Sequence, residues 1–327
     1  MYTTPFTISP KTISLVAEIS AQIERYAIRM EQGDALLLRK ANRIKTIHSS
    51  LAIEGNHLSV SEVEDIINGK HVVAPVREIQ EVKNAINTYN VYSTFDPFSV
   101  ADLLRAHGLM MTALTDDAGH FRNGGVGVFA GQKLMHLAPP AGRVPLLIAD
   151  LFEWLKNAED HLLIRSCVFH YEFEFIHPFS DGNGRTGRLW QSLILGRLNP
   201  IFEHLPVENM VYANQQAYYE AIEKSTNAAD SGAFIEFMLE EILKTLKNKQ
   251  GDALPDVGIN VGTNVGINEQ KILDFIRKDD CITAKQVAEY LSISQRQAER
   301  IFASLKEKQI IKRVGSNKNG HWEISKW

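Results

Sequence analysis

The stretch LWQSLILGRLN, residues 189–199, is apolar nearly all round. A helix of that kind has no face to give to water, so other elements must cover it on every side. This predicts a central buried helix inside a mainly helical fold. Directly before it lies HPFSDGNGRTGR, residues 177–188, and before that HLLIRSCVFHYEFEFI, residues 161–176, also reads helical. The chain therefore delivers a loop dense in glycine and charge to the start of a buried helix.

Helical spacing recurs on either side. DALLLRKANRIKTIHSSLAI runs from Asp34 to Ile53 without proline, and Gly55 with Asn56 supplies a stop. Ser59–Asn68 opens with S-x-x-E, a capping-box signature, and ends at Gly69. Residues 76–95 and 144–160 read as further helices. One segment breaks the pattern: FRNGGVGVFAGQKLMHLAPP, residues 121–140, sets valine and phenylalanine among glycines and predicts a β-hairpin turning near Ala130–Gly131.

Residues 249–268 are rich in Gly, Asn and Val without helical period and predict a linker. Beyond it, EQKILDFIRKD, TAKQVAEYLSI and SQRQAERIFASLKEKQ read as three short helices, and IIKRVGSNKNGHWEI as two strands around a loop. From residue 269 on there are 12 Lys and Arg against 8 Asp and Glu. That order and basic excess resemble a winged helix-turn-helix, with SQRQAERIFASL as recognition helix and DNA as an expected partner. The expected parts are an N-terminal helical region (1–90), a central domain (91–248), the linker (249–268) and the winged helix (269–327).

The chain of 327 residues is 44% hydrophobic, with net charge −4, so it is no generic nucleic-acid binder as a whole. No apolar run approaches the roughly 18–20 residues of a membrane span, and MYTTPFTISPK lacks the basic-then-apolar order of a signal peptide. The two cysteines, Cys167 and Cys281, are far apart and lack metal-ligand spacing. They suit a reducing compartment, and the cytoplasm is the expected location.

The chemistry gathers at residues 177–188. Gly182 and Gly184 let backbone N–H groups turn to one side as an anion nest, and a helix starting near Arg185 aims its positive end there. Arg185 and Arg188 share a helix face. Asp181 can hold Mg²⁺, which favours one or two carboxylates plus phosphate oxygens. Histidine is the side chain whose ordinary pKa lies near neutrality, so His177 can take a proton from a hydroxyl. No G-K-[ST] follows, which excludes a Walker P-loop.

HPFSDGNGRTGR matches HPFx[DE]GN[GK]RxxR, the signature of the Fic family, at every specified position. The resemblance covers about residues 1–248 and implies transfer of AMP from ATP to a hydroxyl of a target protein, or of the enzyme itself. By that resemblance His177 deprotonates the Ser, Thr or Tyr hydroxyl and Asp181 binds the metal. Gly182, Asn183 and Gly184 meet the phosphates, with Thr186 and Gly187 completing the nucleotide loop. Arg185 neutralises the departing pyrophosphate and Arg188 holds the γ-phosphate. The 121–140 hairpin resembles the family's flap, whose edge pairs with an extended target segment. Tyr218, Tyr219 and Asn227 resemble its adenine-side residues, although two tyrosines on a helix also fit a core. Phe179 is expected to plug the core under the loop, and His170 to be a hydrogen-bonded core histidine.

Ser50-x-x-x-Glu54-Gly55 matches the family's inhibitory motif, [ST]xxxE[GN]. A carboxylate in the last turn of a helix opposes the macrodipole, and by itself Glu54 would simply face water. The resemblance instead implies that Glu54 pairs with Arg188 where the γ-phosphate would sit. Two rival readings remain: an ATP-sensing DNA-binding regulator, and a hydrolase that removes AMP. A homodimer is left open.

Overall fold

The computed structural model describes residues 4–30, 35–130, 133–204 and 207–251. In the remainder it describes 272–273, 275–276, 282–291, 298, 302, 305–306, 310–314 and 321–324. The chain divides into two compact units, residues 1–253 and 254–327.

The first unit is helical apart from one hairpin. Its helices are α1 Pro10–Met30, α2 Ala35–Ile53, α3 Val60–Ile67, α4 Val76–Asn90, α5 Val100–Met111 and α6 Val144–Asn157. They continue with α7 Leu162–Ile176, α8 Asn183–Leu198, α9 Val207–Ala213, α10 Gln215–Ala228 and α11 Gly232–Gly251. Strands β1 Gly127–Ala130 and β2 Lys133–Leu137 pair antiparallel, with an irregularity between Val128 and Phe129. The turn residue Gly131 lies outside the described residues. Among the described residues no helix is long and apolar enough to cross a membrane.

Helices α7 and α8 form the centre. One core gathers Phe169, Phe173 and Ile176 of α7 with Leu189, Trp190 and Ile194 of α8, against α2, α4, α5 and α6. A second takes Leu163, Cys167, Val168 and Tyr171 from the other side of α7, against α1, α9, α10 and α11. Sharing two cores is why both helices read apolar nearly all round. Burial pushes the Cys167 thiol up to about 12, so it is an inert core residue.

Local sequence fixes the ends. Ser59 caps α3 with the reciprocal bonds of a capping box: its hydroxyl accepts from Glu62 N, and its own N–H reaches the Glu62 carboxylate at 2.8 Å. Gly55 and Gly69 sit at φ +88° and +74°, the left-handed region that suits glycine after a helix. Three expectations differ from the structure. The 144–160 helix stops at Asn157, where Ala158 turns to an extended conformation while its N–H still bonds the Trp154 carbonyl. The 76–95 helix stops at Asn90, and a 3₁₀ turn over Tyr92–Thr94 follows, where the Thr94 hydroxyl bonds the Val91 carbonyl at 2.8 Å. Lys249–Gly251, expected in the linker, close α11; residues 252–268 lie outside the described set.

In the second unit, α12 Ala284–Leu291 starts from Thr283, whose hydroxyl accepts from Gln286 N at 3.3 Å while Gln286 bonds back to Thr283 N. Strands β3 Ile311–Val314 and β4 His321–Ile324 pair antiparallel in regular register. Ile272, Ile276, Val287, Phe302 and Leu305 share a core, and Trp322 stacks on Phe302 with centroids 4.8 Å apart. Of the expected recognition helix, residues 298, 302 and 305 are described, and all are helical. Arg296 and Arg300 lie outside the described residues. Lys312 pairs with Glu323 at 2.7 Å, and the Arg313 guanidinium lies over the Trp322 ring.

Candidate active site

The site is built on the joint between α7 and α8. His177 ends α7 at φ +50°, ψ +62°, a left-handed conformation that a non-glycine residue adopts only when its surroundings hold it. Its N–H bonds the Phe173 carbonyl at 2.9 Å. Its Nδ1 lies 3.3 Å from the Glu174 carbonyl, which can only accept, so Nδ1 carries the proton and Nε2 is the basic nitrogen of the neutral ring.

The loop closes on itself. Asn183 Oδ1 accepts from Phe179 N, and its Nδ2 donates to Phe179 O, both at 2.9 Å. The side chain of Asn183, a residue expected to meet the phosphates, ties the loop together. Thr186 is also inward: its hydroxyl bonds the Gly182 carbonyl at 2.8 Å. Phe179 is fully buried, its ring stacked on His107 at 3.6 Å and packed against Phe173.

Helix α8 begins at Asn183, two residues earlier than expected, with Gly182 as its N-cap at φ +81°. Gly184 is therefore helical, and the expected two-glycine nest reduces to Gly182 and the helix start. Gly184 matters for space instead. A Cβ there would come within 2.5 Å of Glu54 Oε1 and 2.9 Å of Arg188 Nη1.

Both arginines of the loop are buried. Arg188 Nη2 bonds Glu54 Oε1 at 2.8 Å and the Ser50 carbonyl at 3.1 Å. Burial opposes the Arg188 charge, but Glu54, Tyr218 and Glu174 together outweigh it and hold the pKa above the usual range. The Ser50 hydroxyl is buried without a hydrogen-bond partner, so the serine contributes through its backbone oxygen. Arg185 Nη2 reaches Asp181 Oδ1 at 3.3 Å, and its Nη1 lies 3.9 Å from Glu81. The Nε and Nη1 groups of Arg185, and Nε of Arg188, are buried without hydrogen-bond partners. Buried N–H donors with nothing to bond are costly. At a helix N-terminus beside a left-handed glycine they suit an arriving anion.

Asp181 is half-exposed. Its Oδ1 accepts from Gly182 N at 2.6 Å, and its Oδ2 pairs with Arg77 of α4 at 3.2 Å. Among the described residues no three metal-binding side chains cluster. A single accessible carboxylate at the rim of an anion site still fits Mg²⁺ brought in with phosphates.

Several site residues carried no sequence signal. His107 accepts from Gly119 N through Nδ1 and donates from Nε2 to the Asp181 carbonyl at 3.0 Å, and burial lowers its pKa, in keeping with a neutral ring. Arg77 and Glu81 bring opposite charges to Asp181 and Arg185. Glu174, one turn before His177, has a buried oxygen without a hydrogen-bond partner. Burial, partly offset by Arg188, raises its pKa to about 7. A Cβ at Gly187 would lie 2.8 Å from that oxygen, which accounts for the glycine. Arg122 ties the hairpin to the loop through backbone carbonyls.

The expected adenine-side residues all lie on α10 but differ in burial. Tyr218 is buried, with its hydroxyl 3.1 Å from His170 Nε2, and belongs to the core. Tyr219 is partly buried and accepts from Gln215, whose amide also reaches the Ile53 carbonyl at 3.2 Å. Asn227 is exposed. His170 is a fully buried core histidine, its Nδ1 on Gln191 Oε1, and burial lowers its pKa to about 4.

The Fic/DOC family profile matches residues 97–195, from just before α5 to within α8. A probable protein adenylyltransferase of Aquifex aeolicus is 36% identical over 92 residues, covering 28% of this chain and 27% of that protein. The protein adenylyltransferase Fic of Drosophila melanogaster is 26% identical over 230 residues, 67% of this chain and 44% of that protein. This chain thus spans less than half the length of these curated relatives. Among solved structures, a Fic family protein from Desulfovibrio desulfuricans G20 is 40% identical with a TM-score of 0.75, covering 99% of this chain and 98% of that one. Fic-1 of C. elegans shares the fold at 19% identity and a TM-score of 0.58.

Proposed function

This chain belongs to the Fic family, and we propose that it is a protein adenylyltransferase that moves AMP from ATP to a Ser, Thr or Tyr hydroxyl, held in check by Glu54. One observation carries the reading of the site: buried, unpartnered N–H groups of Arg185 and Arg188 stand at the α8 N-terminus within a loop that also carries the His177 ring.

The reaction follows from these groups. His177 Nε2 takes the proton of the target hydroxyl as the oxygen attacks the α-phosphorus. The new O–P bond forms as the bond to pyrophosphate breaks, close to in line. Arg185 and the α8 N-terminus neutralise charge on the departing pyrophosphate, and Arg188 holds its far end. Asp181 would hold Mg²⁺, which would add positive charge beside the phosphates. The 121–140 hairpin presents the target segment by edge pairing.

Inhibition follows from the bond between Glu54 Oε1 and Arg188 Nη2 at 2.8 Å. The carboxylate takes the guanidinium that the γ-phosphate needs and sets negative charge in its place. For the second unit we propose a winged helix that docks on DNA. The test of the transferase reading is label from α-³²P-ATP in lysate proteins or the enzyme itself. Glu54→Gly should transfer label, and His177→Ala added to it should transfer about 10²–10⁴-fold more slowly. Equal labelling by both would overturn the assignment of the base.

A further inference from the structure

Arg122 sits at the base of the flap and is buried, with 3% of its surface exposed. A buried guanidinium ordinarily faces a carboxylate. Here, among the described residues, no carboxylate lies within ion-pair distance. The acceptors are all backbone carbonyls, and they come from two places. Nη1 bonds Gly124 O at 2.8 Å and Nη2 bonds Pro139 O at 2.6 Å, at the two feet of the β1–β2 hairpin. Nε bonds His177 O at 2.7 Å, and Nη2 also reaches Ile176 O at 3.3 Å. The backbone N–H of Arg122 bonds Pro178 O at 3.0 Å. Three consecutive carbonyls around the catalytic histidine, and one at each foot of the flap, thus converge on one residue.

We propose that Arg122 is a positioning residue that couples the flap to the catalytic base, fixing the distance between a flap-bound target segment and the His177 ring. The proposal rests on the reading of His177 as base and of the hairpin as target-binding edge. The geometry supports it in two ways. The left-handed backbone of His177 needs outside support, and Arg122 holds its carbonyl while Phe173 holds its N–H. The planar guanidinium has donors pointing along several directions in one rigid fork, so it can hold hairpin and histidine together. Lysine has one flexible nitrogen and cannot span both. Burial also lowers the Arg122 pKa, which fits a cation solvated by carbonyls and not by an ion pair.

The test compares Glu54→Gly with Glu54→Gly/Arg122→Lys. ATP affinity in the presence of Mg²⁺ should stay within about twofold, since the phosphates are gripped by α8 and its arginines. kcat/KM for a protein target should fall about 10²-fold, the usual effect of a misplacement near 1 Å. Lysine at near-full activity would mean that charge alone suffices and would overturn the proposal. So would an ATP affinity that weakens in step with activity, because that marks general damage to the loop. Hydrogen exchange gives a readout independent of catalysis. In the lysine variant the amide of Ala138, which bonds the Val126 carbonyl at 3.2 Å at the base of the hairpin, and that of His177 should exchange together about tenfold faster, with α8 unchanged. Protection of His177 left intact while the hairpin loosens would overturn the coupling. Should the lysine variant not fold, exchange in the unmutated protein decides. Arg122, Ala138 and His177 should then open with one rate and one denaturant dependence, and separate openings would refute the idea. If Glu54→Gly transfers no AMP at all, the functional reading fails, and the exchange data still decide whether Arg122 couples flap and histidine.

Discussion

Replacing Glu174 with glutamine should make the protein's stability respond to pH in a new way. Glu174 titrates near pH 7 in the folded chain against an ordinary value of 4.5, because burial disfavours its charge. Below pH 4.5 the group is protonated in both states. As pH rises from there to about 7, the unfolded chain loses the proton while the folded chain keeps it, so stability falls. The shift of about 2.5 units corresponds to roughly 3 kcal/mol. His170 acts in the opposite sense. Its folded value of about 4, against 6.5, removes stability as pH falls from 6.5 towards 4, again because of burial. Between pH 4.5 and 6.5 these two contributions oppose each other. Glu174→Gln removes one of them. Its stability relative to the natural protein should then be about 3 kcal/mol more favourable at pH 8 than at pH 4.5. Any fixed cost of burying the amide cancels in that comparison. Urea titrations at the two pH values, followed by tryptophan fluorescence to which the buried Trp190 contributes, measure it. A difference between the proteins that is the same at both pH values would refute the argument that Glu174 is buried at the expense of its charge.

Two further outcomes are expected. Ser59→Ala removes the hydroxyl that accepts from Glu62 N at the start of α3, leaving the backbone bond to the Glu62 carboxylate, and should cost about 1 kcal/mol; a Tm equal to that of the natural protein would show that the hydroxyl cap is idle. If the second unit docks on DNA through its basic surface, affinity should fall steeply with salt, as counterion release requires. Binding that is absent even at low salt, tested across a genomic selection, would refute that role.

The centre of this fold was legible because it is local. The all-round apolar pattern of residues 189–199 predicted a buried helix, and S-x-x-E predicted the start of α3. The hairpin was readable from valines set among glycines. Glycines were legible as turns but not as spaces: Gly184 was expected to bend the chain, yet it lies inside α8 and makes room for Glu54. Charges brought together over long separations left no sequence signal. Arg77 meets Asp181 across 104 residues, and Arg122 meets the His177 carbonyl across 55. A lone arginine in FRNGG reads as a surface charge until its acceptors are seen. The Glu54–Arg188 pair spans 134 residues, and it was anticipated only through the resemblance of SSLAIEGN to a known motif. Glu174 was hidden for another reason: a carboxylate in an apolar helix gives no sign of whether it meets water.

The proposed restraint by Glu54 acts through its bond to Arg188. The direct measurement is the rate of AMP transfer from ATP, to the enzyme and to lysate proteins, for the natural protein, Glu54→Gly and Glu54→Gly/Arg188→Ala. Freed of the carboxylate, Arg188 can take the γ-phosphate, and a correction of about 1 Å in the α-phosphorus is worth roughly 10²-fold in rate. The single variant should be faster by about that factor, and the double variant should lose the gain. A single variant no faster than the natural protein would contradict the inhibition. A double variant as fast as the single one would show that Glu54 acts by a route other than Arg188.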